Sequence, residues 1–178
     1  LTTQQTKPGS PEELFFSEDL SLYAELMLPV IEAYDSSWPT IFQSQAKFLQ
    51  TIVDLQSSDR FGKRHTVLFV ISPHTVALYE EVAVTTAIQR SAITGLGRQR
   101  YLLRNGEYPK SLAQLSSEFL PADADITDPF LGGPLKSAMD GAGFVIYGVG
   151  MNKSDDGGEV TPTEDRHHAK DAGLVHGW

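Results

Sequence analysis

Apolar residues recur at three- and four-residue steps over much of the first half of the chain, and then that period is lost. Leu20, Tyr23, Leu26, Met27, Val30, Ile31 and Tyr34 keep helical spacing and predict an amphipathic helix. Ser10-Pro11-Glu12-Glu13 ahead of it has the form of a capping box with proline at the first helical position, and Ser17-Glu18-Asp19 offers a second start. Pro29 lies inside the pattern and is expected to kink it. Residues 1–9 are polar and read as a frayed tail. Ser36-Ser37-Trp38-Pro39 separates this helix from a second, whose apolar face is Ile41, Phe42, Phe48, Leu49, Ile52 and Val53. A polar break containing Gly62 follows, from Ser57 to Lys63.

"TVLFVIS", Thr66 to Ser72, is a continuous apolar run that fits a buried strand or a helix segment, and its helical neighbours favour helix. Pro73 interrupts it. A long helix is then expected from about Thr75 to Asn105, with Leu78, Val82, Ile88, Ala92, Leu96 and Leu103 as its face. Ala83, Ala87, Gly95 and Gly97 keep much of it slim. An interior glycine costs about 1 kcal/mol relative to alanine, so two of them suggest close packing against another helix, or else simple tolerance by the surroundings. Asn105-Gly106 stops the helix, and Tyr108-Pro109 forces an extended step. Leu112, Leu115 and Phe119 predict a short helix, and "LPADADITDPFLGGPL" a loop. Leu135 to Met139 and Gly143 to Val149 read as two strands with a hairpin at Asp140-Gly141. From Gly150 onward the chain is polar and turn-rich. The expectation is an α+β protein: a helical N-terminal region, 1–72, then a region, 73–178, in which a long helix packs on a small antiparallel sheet with a long C-terminal loop.

The chain of 178 residues suits one domain or two small ones. A net charge of −9 argues against nucleic acid as a partner, because phosphate binding needs basic patches. It equally disfavours an anionic membrane surface. With no cysteine, disulfides, thiol nucleophiles and thiolate metal sites are excluded. No apolar run approaches the roughly 20 residues of a membrane span. The chain opens on Leu1 and "TTQQTKPGS", which is read as a form whose leader or membrane anchor has been removed.

The acidic stretch "NKSDDGGE", residues 152–159, carries the first candidate chemistry. Asn152, Ser154 and Asp156 alternate and Gly157 follows, like the start of a calcium loop, in which side-chain oxygens precede the glycine of a sharp turn. Position twelve is Thr163 rather than glutamate, and the same residues also suit a solvated acidic turn. Asp155, Glu159, Glu164, Asp165 and Asp171 could add oxygens. A second candidate is a metal-dependent hydrolase using His167, His168, Asp171 and His176, although adjacent loop histidines more often face solvent. Neither G-x-S-x-G nor H-E-x-x-H occurs. Trp38 and Trp178 read as core residues, or as the platform of a carbohydrate- or peptide-binding module.

Three stretches occur in a suggestive order: "RYLLRNGEYPKSLAQL", "FLPADADITDPFLGGPL" and "GFVIYGVGMNKSDDGGE", with a terminal tryptophan. Over roughly residues 90–178 the chain resembles the soluble C-terminal domain of type II secretion major pseudopilins. A similar tail is found in planctomycete-type envelope proteins of unassigned role. The resemblance implies a non-enzymatic, periplasmic or otherwise extracytoplasmic module. Its partners would be other envelope or secretion-system proteins, or further copies of itself, with the membrane reached only through an N-terminal anchor. It further implies calcium in the C-terminal acidic loop, with Ser154, Asp155, Asp156 and Asp171 at the matching positions. The extra helices before residue 73 and the longer "TPTEDRHHAK" segment depart from the family pattern.

Overall fold

The computed structural model describes residues 11–58, 65–140, 143–160 and 171–176. They form an α+β protein with three helices and one small antiparallel sheet. The helices are α1 (Pro11–Glu32), α2 (Trp38–Ser58) and α3 (Thr66–Asn105), and a short 3₁₀ turn spans Leu112–Gln114. The strands are β1 (Lys136–Asp140), β2 (Gly143–Gly148) and β3 (Ala172–His176), in the order β1-β2-β3. The chain divides into two compact units, Leu1–Tyr79 and Glu80–Trp178, with the division inside α3.

In the first unit, Met27 and Val30 of α1, Phe48 and Ile52 of α2 and Leu68 of α3 form the core. The four from α1 and α2 lie on the expected faces and Leu68 comes from the apolar run, but Leu20, Ile31, Tyr34 and Val53 remain exposed. The helical period runs unbroken from Pro11, so Ser17 does not start a new helix. Ser10 lies outside the described residues. Helix α3 likewise continues through Pro73, correcting the expected start near Thr75. Proline removes the helical hydrogen bond to the Phe69 carbonyl, but Pro73 is exposed, where water can take that bond. The Ser72 hydroxyl meanwhile donates to the Leu68 carbonyl at 2.6 Å. Asp19 is almost wholly buried and meets His65 Nδ1 at 2.8 Å. Trp38 is half-buried and lies 5.9 Å from the Phe42 ring, while Trp178 lies outside the described residues.

In the second unit, α3 buries its slim face. Ala83, Ala87, Ser91, Thr94 and Gly97 are covered, whereas Val82, Leu96 and Leu103 are exposed. Periodicity identified a face, but the face that the domain covers is the other one. The two glycines do not meet another helix. A Cβ at Gly97 would lie 2.6 Å from Leu120 of the 116–120 turn, and one at Gly95 would lie 4.0 Å from Ile146 of β2. Arg90 pairs with Asp125 and donates to the Thr127 carbonyl, Arg100 donates to the Phe119 carbonyl, and Arg104 pairs with Glu118. These bonds hold the segment after the helix against its flank. Leu115, Phe119 and Leu120 fill the space beneath, although the helix expected over Leu112–Phe119 is only the 3₁₀ turn followed by further turns.

Strand β2 pairs on both sides, with Tyr147 opposite Lys136 in β1 and Gly173 in β3. Strand β3 was not expected. It is short, contains a glycine and follows a polar stretch, so only its pairing with β2 makes it a strand. Residues 144–149 are all buried, because both faces of β2 are covered. Phe144 and Ile146 join Leu135, Leu112 and Ile126 on one face. Val145 and Tyr147 meet the acidic loop on the other, at Gly158. The hairpin glycine, Gly141, lies outside the described residues.

Two glycines of this unit predict opposite outcomes. A Cβ at Gly173 would sit 2.6 Å from the Tyr147 Cα, so Gly173→Ala is expected to lower stability by about 1–3 kcal/mol. At Gly95 the nearest neighbour is at ordinary contact distance, so Gly95→Ala is expected to gain up to about 1 kcal/mol. Urea unfolding of the two variants measures both.

Candidate functional site

The acidic loop begins where β2 ends. Gly150, Lys153, Gly157 and Gly158 all adopt left-handed backbone, and this folds residues 150–160 back over the outer face of the sheet. At Gly158 even the space is restricted, since a Cβ would lie 2.5 Å from Val145. Glycine is therefore required there on both counts.

Asp155 fastens the loop to the sheet. Its Oδ2 accepts from Lys136 Nζ at 2.6 Å, and its Oδ1 accepts from the Tyr147 hydroxyl at 2.9 Å. Lys136 and Tyr147 are cross-strand partners, so a single carboxylate bridges β1 and β2 from above. The bonds from Lys136, Tyr147 and the Gly157 N–H hold the Asp155 carboxyl below the usual carboxylate range. Burial, reinforced by the Asp155 carboxylate, pushes the Tyr147 hydroxyl up to about 12.

Asp171, the residue before β3, is fully buried. Its Oδ2 accepts the N–H groups of Gly158 at 2.8 Å and Glu159 at 3.1 Å, and its Oδ1 lies 3.4 Å from the Asp156 N. The loop backbone thus wraps an internal anion. Burial raises the Asp171 pKa despite these donors, with the nearby Asp156 acting in the same direction. Asp128 plays a related part at the same end of β2, where Gly148 pairs with Ala172. It too is buried, accepting from the Phe130 N–H at 2.8 Å and the Val149 N–H at 3.0 Å. A Cβ on Gly148 would come within 2.7 Å of it, and so "DPF" docks against a glycine of β2.

Of the five proposed calcium ligands, the structure brings three close together. Asn152 Nδ2 donates to Asp156 at 2.6 Å, and Asp156 adjoins Asp171 through its backbone. The Asn152 side-chain oxygen accepts the Ser154 N–H at 2.9 Å, and Asp155 points instead to Lys136 and Tyr147. Calcium wants six to eight oxygens facing one point. Here N–H donors converge on Asp171 and a lysine occupies Asp155, so this donor set as arranged does not fit the ion. Among the described residues, no group of three or more histidine or acidic side chains is placed to hold a metal. Of the hydrolase residues, His167 and His168 lie outside the described residues, as do Glu164 and Asp165. The backbone of His176 pairs opposite Phe144 in β3, and Asp171 is turned inward to the loop amides. The sequence reading missed Asp128 as a buried anchor and Lys136 and Tyr147 as the partners of Asp155. Alternation along β1 and β2 puts those two on one face, but their register shows only in the paired sheet.

No protein-family model, curated protein or solved structure matches the chain.

Replacing the inward carboxylate tests this reading of the loop. Asp171→Asn points an NH2 group at backbone donors and is expected to cost about 1–3 kcal/mol in urea unfolding. Millimolar calcium is expected to leave the melting temperature unchanged. A rise of several degrees that vanishes in Asp156→Ala would instead make the loop a metal site. Tyr147 rises from 10.0 to about 12 on folding, so its contribution is complete below pH 10 and lost as pH climbs through 12. Stability should fall across that window, and less steeply in Tyr147→Phe.

Proposed function

We propose that this protein is a non-enzymatic, extracytoplasmic assembly module of pseudopilin-like kind, working through contacts of its long helix. The observation that carries the reading is the outer face of α3 in the second unit. Val82, Leu96 and Leu103 are 46%, 64% and 85% exposed, and with Gln89 they repeat every seven residues. Single exposed leucines are ordinary on protein surfaces. Apolar residues at three of four positions spaced by seven fall along one line of a helix, the kind of line on which a second helix can seat. The opposite face carries small residues that are already buried, so the large ones are spare for a partner.

The order of elements supports the same reading. A long helix, the N-G-x-Y-P corner, a "DPF" loop on its buried aspartate and a small antiparallel sheet follow one another as the resemblance implies. The extracytoplasmic location comes from the resemblance alone. Among the described residues, no helix is long and apolar enough to cross a membrane.

The partner we assign to the stripe is α3 of a second copy, whose repeat matches it by identity. Sedimentation should show reversible self-association that rises with concentration and is abolished by Leu96→Glu with Leu103→Glu, at unchanged circular dichroism. A chain that stays monomeric at high concentration, with no cross-link through position 103, would remove this reading.

A further inference from the structure

Helix α3 carries four arginines, and three of them are explained by the fold. Arg90, Arg100 and Arg104 each reach a carboxylate or a carbonyl of the following segment. Arg98 reaches none among the described residues. It is only 8% exposed, and its Nε is buried with no hydrogen-bond partner. Its guanidinium carbon lies 3.9 Å from the Phe144 ring centre and 5.2 Å from that of Tyr108. Rings compensate the faces of a guanidinium but leave its N–H edge without an acceptor. Burial pulls its pKa below the ordinary arginine value. A buried cation without an anion costs stability that a ligand can return.

That arginine lines an open cavity of about 420 Å³, a size suited to a small ligand or a few residues of peptide. Lys110, Ser111 and Ser137 supply further polar groups, Leu112 and Met139 supply apolar wall, and none of the lining residues is acidic. In a chain of net charge −9, two cations sharing a cavity free of carboxylates form a local exception. The cavity also runs beside β1, from Ser137 to Met139. Strand β1 is an edge strand, with its only strand partner in the described sheet on the β2 side. Met139 is 74% exposed although it pairs opposite the buried Phe144. An edge strand offers unpaired backbone groups to an incoming extended chain.

We propose that this cleft binds an extended peptide along β1, with a carboxylate of that peptide on Arg98 and Lys110. A planar guanidinium that rests against two rings keeps an edge for a two-point bond to a carboxylate. The free strand edge takes the peptide backbone, and Leu112 and Met139 take an apolar side chain. The carboxylate comes from the peptide's C-terminus or from an acidic side chain. This site is separate from the outer face of α3, and it stands or falls independently of self-association.

The test uses the full chain, amide-resolved NMR and three acetylated tetrapeptides of valine and threonine. One ends in leucine with a free carboxylate, one is its C-terminal amide, and one ends in glutamate with an amidated C-terminus. The leucine acid or the glutamate peptide, or both, should shift the amides of residues 108–112 and 137–139 saturably at millimolar concentration or below. The neutral amide should bind at least tenfold more weakly, and whichever carboxylate binds more tightly identifies the source. Arg98→Gln should weaken binding tenfold or more. Lys110→Gln, at an exposed side chain, should weaken it several-fold in a fold that is left intact. Equal binding of all three peptides, no saturable shift at millimolar concentration, or inorganic phosphate binding as tightly as the peptides would each overturn the proposal. Unchanged affinity in Lys110→Gln and Arg98→Lys together would do the same.

Discussion

A three-stranded sheet with strands of five or six residues needs its apolar faces covered to be stable in water, and the second unit is built around covering them. Helix α3 and the Leu112–Ile126 segment cover one face, and the acidic loop covers the other. Loops are poor covers, because their backbone groups lose water when they pack. Here two buried carboxylates meet that demand. Asp128 takes N–H groups from Phe130 and Val149, and Asp171 takes them from the loop around Gly158. Each such charge-assisted bond is worth roughly 1.5–3 kcal/mol.

The same logic explains the shape of α3. A helix can approach a sheet only where its side chains are small, and at Gly95 an added Cβ would already meet Ile146 of β2 at 4.0 Å. Its arginines then reach over the flanks to tie down residues 116–127. With the small residues turned inward, the larger apolar ones have nowhere to go but outward. The exposed stripe thus follows from the way the helix packs, and the reading of the protein as an assembly module rests on it.

The acidic loop shows how one set of residues can answer two electrostatic problems. Oxygens at alternate positions before a glycine suit a cation, but aspartate side chains also cap turns and accept backbone N–H groups. In this chain the second use prevails: Asn152 caps its own turn, Asp155 joins Lys136 and Tyr147, and Asp171 lies beneath the backbone. Opposite pKa directions within one loop express the division. Asp155 gains from its bonds to a cation and a hydroxyl, whereas Asp171 is held by backbone donors in a place where burial disfavours its charge.

The sequence by itself determined the α+β class, the first two helices and the greater part of the third, the stop at Asn105-Gly106 and the hairpin strands, because these depend on local period and on turn residues. It also marked the acidic loop and the "DPF" segment as places where the chain does something particular. Tertiary structure alone decided which face of α3 is buried, that Ala172–His176 is a strand, and where Asp128, Asp155 and Asp171 point. The physical reason is range. A helix and a turn are set by neighbours a few residues away, but a buried carboxylate takes its meaning from donors that pairing and packing bring to it: Asp128 bonds Val149 and Asp171 bonds Gly158. The unpartnered Arg98 belongs to the same class, since in sequence it is one arginine among four, and only the packed rings around it reveal that its charge has no answer within the described residues.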